Sequence, residues 1–277
     1  MISYIRWDID PEIFAGFEFL RWYGLCWTIG IILGYRLMLR IYRVEGLSQS
    51  DLDKLTTYVI LGAIIGARLG HVLFYDPLYY LSNPIEILPI RISPTLQFTG
   101  LAGLASHGGI LGALVALYLY KRKFRKDYLW TLDRLVIAGA LLGGFIRIGN
   151  LMNSEMVGTP SQLPWAFIFS RIDQIPRHPA QLYEALFYLS ISLILFLVYQ
   201  SGKVSQYKGF LFGLGIFLLF LQRFLVEYLK ENQVEFEQQL QLNMGQLLSI
   251  PLIITGICLM GWSIKKFAID NKLNELA

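Results

Sequence analysis

Charged residues are scarce in this sequence. Asp, Glu, Lys and Arg together make up 16% of the 277 residues, whereas ordinary soluble domains contain roughly 25%. Hydrophobic residues reach 55%, and apolar stretches of about 20 residues, long enough to cross a bilayer as helices, recur along the chain. The composition therefore excludes a soluble domain with a large core. It predicts an all-α fold, a polytopic bundle of membrane helices.

Cysteine is nearly absent, with only Cys26 and Cys258, each inside an apolar stretch. Two isolated cysteines exclude a disulfide framework, and neither has the spacing of a metal ligand. We expect both to be small buried hydrophobic residues, and we expect no metal and no other cofactor. The N-terminal residues also lack the basic start of a cleavable signal peptide, because they carry Asp8, Asp10 and Glu12.

Seven apolar stretches predict about seven transmembrane helices in one membrane domain over residues 1–277, because no linker or repeat divides the chain. The loops after the first, third and fifth stretches and the C-terminal tail hold thirteen of the 24 basic residues, and the alternate segments hold five. The positive-inside rule then places the N-terminus outside and the C-terminus in the cytoplasm. This topology accounts for the basic loops, so nucleic acid is not an expected partner. The stretches are 18–40, 55–75, 98–120, 130–151, 182–200, 208–229 and 244–264.

Two further segments, near 76–97 and 152–181, are too apolar for ordinary loops. The first contains four prolines, which break it too often for a span, and the second includes the aromatic run at 164–169. Both are expected to lie half-buried at the outer membrane surface. They form either a roof or lateral gate over the bundle or simple interfacial anchors.

Glycines recur at helical spacing inside four of the apolar stretches. Such stripes of small residues let helix backbones approach closely, so they predict a compact bundle. The glycines are Gly62, Gly66 and Gly70, Gly108 and Gly112, Gly139 and Gly143, and Gly209 and Gly213.

Ionisable and polar groups inside the predicted spans lie mostly toward one side of the membrane. Such groups are costly in lipid and usually mark function. Tyr23, His107, Arg147 and Arg223 all fall in the outer half of their spans, at 1.5 Å of rise per residue. Arg134 lies near an inner end, where its long side chain is expected to reach water. The inner halves of the spans contain few polar groups, which argues against an ion pathway through the membrane.

Arg147 begins a cluster of polar residues at the outer end of the fourth span. Arg147 and Asn150 are spaced i,i+3, Ser154 comes four residues later, and the three share a face if the helix continues. Asn153 and Glu155 belong to the same cluster. A guanidinium beside amides suits a phosphate because its donors are planar and permanently charged. The alternative is an arginine that anchors the helix end to a lipid headgroup.

Three other positions carry the same kind of ambiguity. Arg223 and Glu227 are spaced i,i+4, which suits either an intrahelical ion pair or a second phosphate ligand that Glu227 orients. His107, in a glycine-rich stretch, is either structural or a proton acceptor near neutral pH. Tyr183 lies with Gln181 and Glu184 in "RHPAQLYEAL", which is either an interfacial helix start or part of the same polar level.

At these residues the sequence resembles the prolipoprotein diacylglyceryl transferase family of bacterial inner membranes. The resemblance covers nearly the whole chain and rests on motifs in the family's order. There are also departures: the family commonly has glycine where Ile146 and Ser154 stand, and an arginine followed by Pro-Asp near Lys230. The motifs are "RWYGL", "SHGGILGALVA", "RIGNLMNSEMVG", "RHPAQLYEAL", "QRFLVEYLK" and "NMGQLLSIP".

The resemblance implies a reaction in the outer leaflet of the inner membrane. The family transfers the diacylglyceryl group of phosphatidylglycerol to the lipobox cysteine of a prolipoprotein, forming a thioether and releasing glycerol 1-phosphate. By position, Arg147 matches the lipid-binding arginine and Arg223 the second essential one. His107 and Tyr23 match the implicated histidine and tyrosine, while Asn150 and Glu155 match polar residues of the family's motif.

The sequence thereby predicts two groups of site residues. His107, as base or proton relay, acts with Tyr23, Arg223 and Glu227 in catalysis. A substrate-binding group comprises Arg147, Asn150, Asn153, Glu155 and Tyr183.

Two other functions stay open on the residues alone. A lipid or small-anion transporter would use the outer site but would also need polar groups in the inner halves of the spans. A membrane scaffold would use the outer polar groups only to bind headgroups.

Overall fold

The computed structural model describes residues 4–14, 16, 20–88, 90–91, 97–98, 103–204, 206–231 and 241–276. The chain is mostly helical and divides into two compact units, Met1–Met38 with Leu129–Ala277, and Leu39–Tyr128. The helices are α1 (Trp22–Val44), α2 (Gln49–Phe74), α3 (Pro77–Ser82), α4 (Ser106–Phe124), α5 (Tyr128–Met152), α6 (Ala180–Gln200), α7 (Phe210–Val226) and α8 (Met244–Leu276). The strands are β1 (Ile5–Trp7), β2 (Ile90–Arg91), β3 (Gln97–Phe98), β4 (Phe167–Phe169) and β5 (Pro176–Arg177).

Within the described ranges, six helices are long and apolar enough to cross a membrane, so the chain is a multi-pass membrane protein. They are α1, α2, α5, α6, α7 with the turn after it, and α8. The predicted span at 98–120 corresponds to α4, whose last turn carries Lys121, Arg122 and Lys123. Because α4 has 19 residues, every 18-residue stretch of it contains all three cations, whereas each of the six spans has such a stretch with at most two charged residues. Residues 99–102 of that predicted span lie outside the described part of the chain, and the seventh crossing and the orientation of the termini stay predictions.

The predicted glycine packing is confirmed in the second unit, where α2 and α4 lie backbone to backbone. A Cβ added to Gly66 would lie 2.4 Å from the carbonyl oxygen of Gly108, and one added to Gly112 would lie 2.2 Å from that of Gly62. No side chain fits in such a gap. At the end of this pair that leads into α3, Arg68 donates to the carbonyls of Glu86 and Ile87, so its charge anchors the segment after α3.

The first unit uses the same device between α5, α6, α7 and α8. Gly213 of α7 and Gly256 of α8 face each other, each so close that a Cβ would lie under 3.0 Å from the other's carbonyl oxygen. Gly143 of α5 lies against the ring of Tyr188, and Gly215 of α7 against Val136. Gly139 is an exception to the predicted stripe, because no atom of the described residues lies within 4 Å of its added Cβ.

One end of this unit is closed by a buried carboxylate. Asp133, 2% exposed, accepts hydrogen bonds from the backbone N–H groups of Gly209, at 2.7 Å, and Phe212, at 2.8 Å. Negative charge is favourable there because the first N–H groups of α7 have no partner within the helix. Arg134 beside it is 4% exposed and stacks on Trp130. The expectation that Arg134 reaches water was therefore wrong, since an anion and an aromatic face satisfy it inside.

At the opposite end, the predicted outer segment 152–181 forms a small sheet. β1 pairs parallel with β4, which pairs antiparallel with β5, while β2 pairs with β3 in the other unit. Phe167 and Phe169 of β4 pack with Leu151, and the Trp7 indole donates to the Leu151 carbonyl at 3.0 Å. These short strands, which the all-α prediction lacked, tie the N-terminal residues to the end of α5.

Cys258 also departs from its prediction. Cys26 is buried, but Cys258 is exposed on α8. An apolar exposed position is expected on a helix that faces lipid, and apolar content alone does not separate the lipid-facing side from the packed side.

We predict that Gly112→Ala lowers the thermal unfolding temperature of the detergent-solubilised protein. The added methyl group meets the backbone of α2, and overpacking of this kind typically costs about 1–3 kcal/mol. Gly139→Ala is the matched control, because the same methyl group enters open space and removes a helix glycine, worth about 0.5–1 kcal/mol. Equal unfolding temperatures for the two variants would contradict the close α2–α4 contact.

Candidate functional site

Four charged side chains meet at the end of the first unit that carries the sheet. Arg147 lies in the last turns of α5, Glu184 in the first turns of α6, and Glu227 and Lys230 just after α7. The Arg147 Nε atom lies 3.2 Å from Glu184 Oε2, and Lys230 Nζ lies 2.8 Å from Glu184 Oε1. Lys230 Nζ also lies 3.3 Å from Glu227 Oε2. The ends of α5, α6 and α7 are therefore joined by a continuous network of ion pairs in which positive and negative groups alternate.

These four groups are almost completely shielded. Their side chains are 12% exposed for Arg147, 0% for Glu184, 9% for Glu227 and 3% for Lys230. Buried charges persist only when they are paired, because each unpaired ion loses its hydration without compensation. Two cations against two anions make the cluster electrically balanced, and Glu184 is shared between Arg147 and Lys230.

The Arg147 guanidinium retains hydrogen-bonding capacity. It has five N–H donors, of which NH1 donates to Asn150 Oδ1 at 3.3 Å and to the Met156 sulfur, a weak acceptor, at 3.1 Å. Tyr188 is a further hydrogen-bonding neighbour. No hydrogen bond reaches Glu184 Oε2 from any described residue, so its 3.2 Å contact with Arg147 is an ion pair without good alignment. The most exposed cation of the cluster is thus also an incompletely bonded one.

The turn after α5 extends this cluster through amide groups. Asn150 Nδ2 donates to Glu155 Oε2 at 3.1 Å, and Asn153 Nδ2 donates to Glu155 Oε1 at 3.0 Å. The turn closes because the Glu155 N–H donates to the Asn150 carbonyl and Ser154 adopts a φ of +56°. This left-handed conformation favours glycine, which explains why a glycine suits the position of Ser154 in the resembling family. Arg147, Asn150, Asn153 and Glu155 therefore form one hydrogen-bonded network. Their spacing predicted only that Arg147 and Asn150 share a helix face, and α5 ends at Met152, before Ser154.

The start of α8 holds Glu227 in place. Asn243 and Gln246 cap this helix reciprocally: the Gln246 N–H donates to Asn243 Oδ1 at 2.9 Å, and the Asn243 N–H to Gln246 Oε1 at 3.1 Å. A Cβ added to Gly245 would lie 2.6 Å from the Glu227 carboxyl carbon. Only glycine leaves room for this carboxylate, so "NMGQ" positions it.

Arg223 and Tyr23 lie close to this network, and within the described residues neither pairs with its charged groups. Arg223 is one turn before Glu227 on the same face of α7, and within the described residues it forms no ion pair with that carboxylate. The alternative of an intrahelical Arg223–Glu227 pair is therefore not realised, because Glu227 turns to Lys230. The Tyr23 ring packs directly on Gly149, next to Asn150.

Tyr183 belongs to a separate hydrogen-bonded group. Its hydroxyl oxygen accepts from Trp165 Nε1 at 2.8 Å and lies 3.3 Å from His178 Nδ1. Burial lowers the pKa of His178, which favours the neutral ring, and a neutral ring can accept a hydrogen bond from the Tyr183 hydroxyl. Tyr183 therefore fastens the sheet segment to the start of α6, and its predicted contact with substrate stays a prediction.

His107 lies in the other unit, exposed in the first turn of α4. The other eight predicted site residues all belong to the first unit. The role of His107 as a base thus stays a prediction.

Glu184 and Lys230 are the members of the network that the predicted site omitted. Glu184 is visible in the sequence as an acidic residue on the first turns of a span, and a buried Arg147 requires such a counter-charge. Lys230 carries no comparable signal, since a lysine just after a span normally reaches water. The whole Lys230 residue is 6% exposed. It is buried because two carboxylates from different helices converge on its ammonium group.

Comparison with known proteins identifies the family. The family model described as prolipoprotein diacylglyceryl transferase matches residues 12–262. The chain is 46% identical over 266 residues to the phosphatidylglycerol–prolipoprotein diacylglyceryl transferase of Bacteroides fragilis, covering 95% of this chain and 96% of that protein. It is 46% identical over 264 residues to the enzyme of the same name from Tolumonas auensis, covering 95% and 98%. It is 41% identical over 271 residues to that of Chloroherpeton thalassium, covering 97% and 98%.

The chain belongs to the prolipoprotein diacylglyceryl transferase family. It is therefore a membrane-embedded transferase of lipoprotein biosynthesis, and the family resemblance predicted from its motifs is confirmed. The matched range contains every member of the charged network.

We predict that Lys230→Met strongly destabilises this transferase, because it leaves the Glu227 carboxylate buried without a cation. Breaking a buried pair from one side costs about 3–5 kcal/mol. Lys230→Arg keeps the charge and should retain most of the stability. The double variant Glu227→Gln/Lys230→Met should be more stable than Lys230→Met alone, and thermal unfolding in detergent measures all three. A wild-type unfolding temperature for Lys230→Met would contradict the network.

A second prediction concerns Arg177, which holds the segment before α6. Its Nε atom lies 3.1 Å from Asp173 Oδ2, and it also binds Glu231. The Arg177 guanidinium lowers the pKa of Asp173 below its ordinary value, about 3.9.

The stability from this pair is therefore present above about pH 3.9 and is lost as the pH falls through the lowered pKa. We predict that Asp173→Asn unfolds at a lower temperature than the wild type at pH 7. The loss in free energy of unfolding should be no more than about 1 kcal/mol, because the Asp173 side chain is 26% exposed. The difference should shrink below about pH 4. A difference that stays constant from pH 7 to pH 3 would contradict the pairing.

Proposed function

We propose that this chain transfers the diacylglyceryl group of phosphatidylglycerol to the lipobox cysteine of a prolipoprotein. The thiolate sulfur attacks the glycerol carbon that bears the phosphate, and a carbon–sulfur bond forms. The carbon–oxygen bond to phosphate breaks, its electron pair stays on the departing glycerol 1-phosphate, and the thiol proton passes to a base. The names of the relatives, which include both substrates, support this assignment.

The observation that carries the proposal is the incompletely bonded guanidinium of Arg147 at a buried end of the bundle. The leaving group develops negative charge on its phosphate oxygens. Fixed donors aimed at such charge in a water-poor site stabilise it far more than they would in water. Arg147 supplies a planar, permanently charged set of donors, with Asn150 beside it holding the guanidinium in position.

The position of Arg223 on α7 supports its role. Arg223 lies one turn before Glu227, and within the described residues it takes no part in the ion pairs among Arg147, Glu184, Glu227 and Lys230. A phosphate diester carries one negative charge. We assign Arg223 to the same phosphate, with Glu227 held away from it by Lys230.

The thiol proton requires an acceptor. An ordinary cysteine thiol has a pKa near 8.5, so a base or nearby positive charge is needed for attack near neutral pH. We assign the proton to His107 and the positioning of the headgroup to Tyr23, whose ring packs on Gly149 beside Asn150.

The place of the site along the helices suits two membrane-bound substrates. Arg147, Glu184 and Glu227 all lie at the same end of α5, α6 and α7, opposite the end that Asp133 closes. With the N-terminus outside, this end faces the outer leaflet of the bacterial inner membrane. A phospholipid and a signal peptide can then both reach it sideways from the bilayer.

We predict that Arg147→Ala abolishes transfer and that Arg147→Lys retains only a small part of it. Lysine keeps the charge but not the planar fork of donors. Removing one well-placed donor of this kind typically lowers the rate by about 10²–10³. The assay incubates purified protein with labelled phosphatidylglycerol and a lipobox peptide, and measures the mass increase of the peptide and the glycerol phosphate released.

Arg43→Ala is the matched control, because Arg43 is an exposed cation in the last turn of α1. It should keep wild-type transfer. Full transfer by a folded Arg147→Ala variant would refute the assignment. Lipid movement without peptide modification in the wild type would favour a transporter, and headgroup binding alone would favour a scaffold.

A further inference from the structure

Three oxygen atoms beside the charged network are buried and receive no hydrogen bond from the described part of the chain. They are Asn153 Oδ1, Ser154 Oγ and Gln181 Oε1. Ser154 is 6% exposed and Gln181 is 0% exposed. A buried polar atom without a partner typically loses about 1–3 kcal/mol, so such atoms are rare outside sites that bind something. Two of them lie in the turn after α5 and the third in the first turn of α6, which is an unusual concentration.

The three oxygens surround Glu155. Asn153 Nδ2 donates to the Glu155 carboxylate, and Gln181 Nε2 donates to the Glu155 carbonyl. These two bonds also settle which end of each amide is oxygen, because the opposite orientation would set two acceptors against each other. Ser154 lies between Asn153 and Glu155 in the chain. The orphaned groups are therefore two amide acceptors and a hydroxyl.

This chemistry selects the part of a lipid that fits. Phosphate and ester oxygens are acceptors and cannot satisfy amide oxygens, whereas hydroxyl groups can. An ammonium headgroup can also donate to amide oxygens, so phosphatidylethanolamine is the competing ligand that a test has to include. The Ser154 hydroxyl can itself donate, and an ammonium has no acceptor for it. Neutral hydroxyls, which both donate and accept, are therefore the better match to the whole set.

The location relative to Arg147 agrees with this. Asn150 bonds to Arg147 on one side and to Glu155 on the other. The hydrogen-bonded path from a phosphate on Arg147 to the three oxygens would therefore pass through Asn150 and Glu155. It leads toward the exposed end of the turn, where Glu155 and Met156 lie. In phosphatidylglycerol the headgroup glycerol, with two hydroxyls, extends from the phosphate away from the acyl chains.

We propose that Asn153, Ser154 and Gln181 line a subsite for the glycerol hydroxyls of the lipid headgroup. This inference rests on the proposed function for the identity of the lipid. Ser154 is the adaptable member, since its hydroxyl both donates and accepts. The left-handed backbone conformation of Ser154 costs free energy that a glycine at this position would not lose. The serine hydroxyl offsets this strain if it binds the headgroup.

The test compares phosphatidylglycerol with phosphatidylpropanol, which has the same phosphate and carbon number in its headgroup but no hydroxyls. The quantity measured is the ratio of kcat/KM for the two lipids. Ser154→Ala should lower the wild-type preference for phosphatidylglycerol by about three- to tenfold, the value of one hydrogen bond. Ser201→Ala removes an exposed hydroxyl at the end of α6 and should keep the wild-type ratio.

A second variant separates the hydroxyl from the strain. Ser154→Gly removes both, so it should unfold at a higher temperature than Ser154→Ala while losing the same preference. An unchanged ratio in both variants would overturn the subsite. A preference lost for phosphatidylethanolamine instead would overturn it as well, because the ligand would then be an ammonium.

Binding of the two lipids, measured by native mass spectrometry, keeps this test independent of catalysis. If the wild type transfers nothing, the proposed function fails. The subsite still stands if Ser154→Ala loses the binding preference for phosphatidylglycerol over phosphatidylpropanol, and it falls if the variant keeps that preference.

Discussion

The ion pair between Arg147 and Glu184 is the interaction on which the rest of the site depends. It places a cation inside an apolar bundle, where an unpaired charge would lose its hydration without return. Because Glu184 is shared with Lys230, and Lys230 also pairs with Glu227, the ends of α5, α6 and α7 are joined through one balanced set of charges. Because Glu184 is shared and poorly aligned with Arg147, it leaves the Arg147 guanidinium more available to a further anion than a carboxylate bound to Arg147 alone would.

The helices that carry these charges are held by contacts with almost no side-chain volume. Close glycine contacts let α7 and α8 approach until backbone meets backbone, and Gly245 leaves space for the Glu227 carboxylate. Without a hydrophobic force between helices in lipid, close packing of this kind is a main source of association. Asp133 caps the N-terminus of α7, at the end of the unit opposite the ion pairs. The binding chemistry is thus concentrated at one end of a rigid support.

Much of this could be predicted from the sequence, and the omissions have physical causes. Hydropathy identified the membrane helices, and i,i+3 spacing placed Arg147 with Asn150. The burial of Lys230 could not be predicted, because local pattern does not tell whether a lysine after a helix reaches water or a carboxylate from another helix. The small sheet was missed because two or three residues are too few for an alternating pattern.

The sequence by itself determined the class of protein and the family, since these depend on composition and motif order, and short-range spacing predicted which residues suit a phosphate. Only the tertiary structure decided the partners of these residues. Among the described residues, Glu227 binds Lys230 and not Arg223, and no donor reaches the buried amide oxygens of Asn153 and Gln181. The physical reason is that hydrogen bonds and ion pairs act over about 3 Å. Residues from α6, α7 and the turn after α5 come that close only when the helices pack.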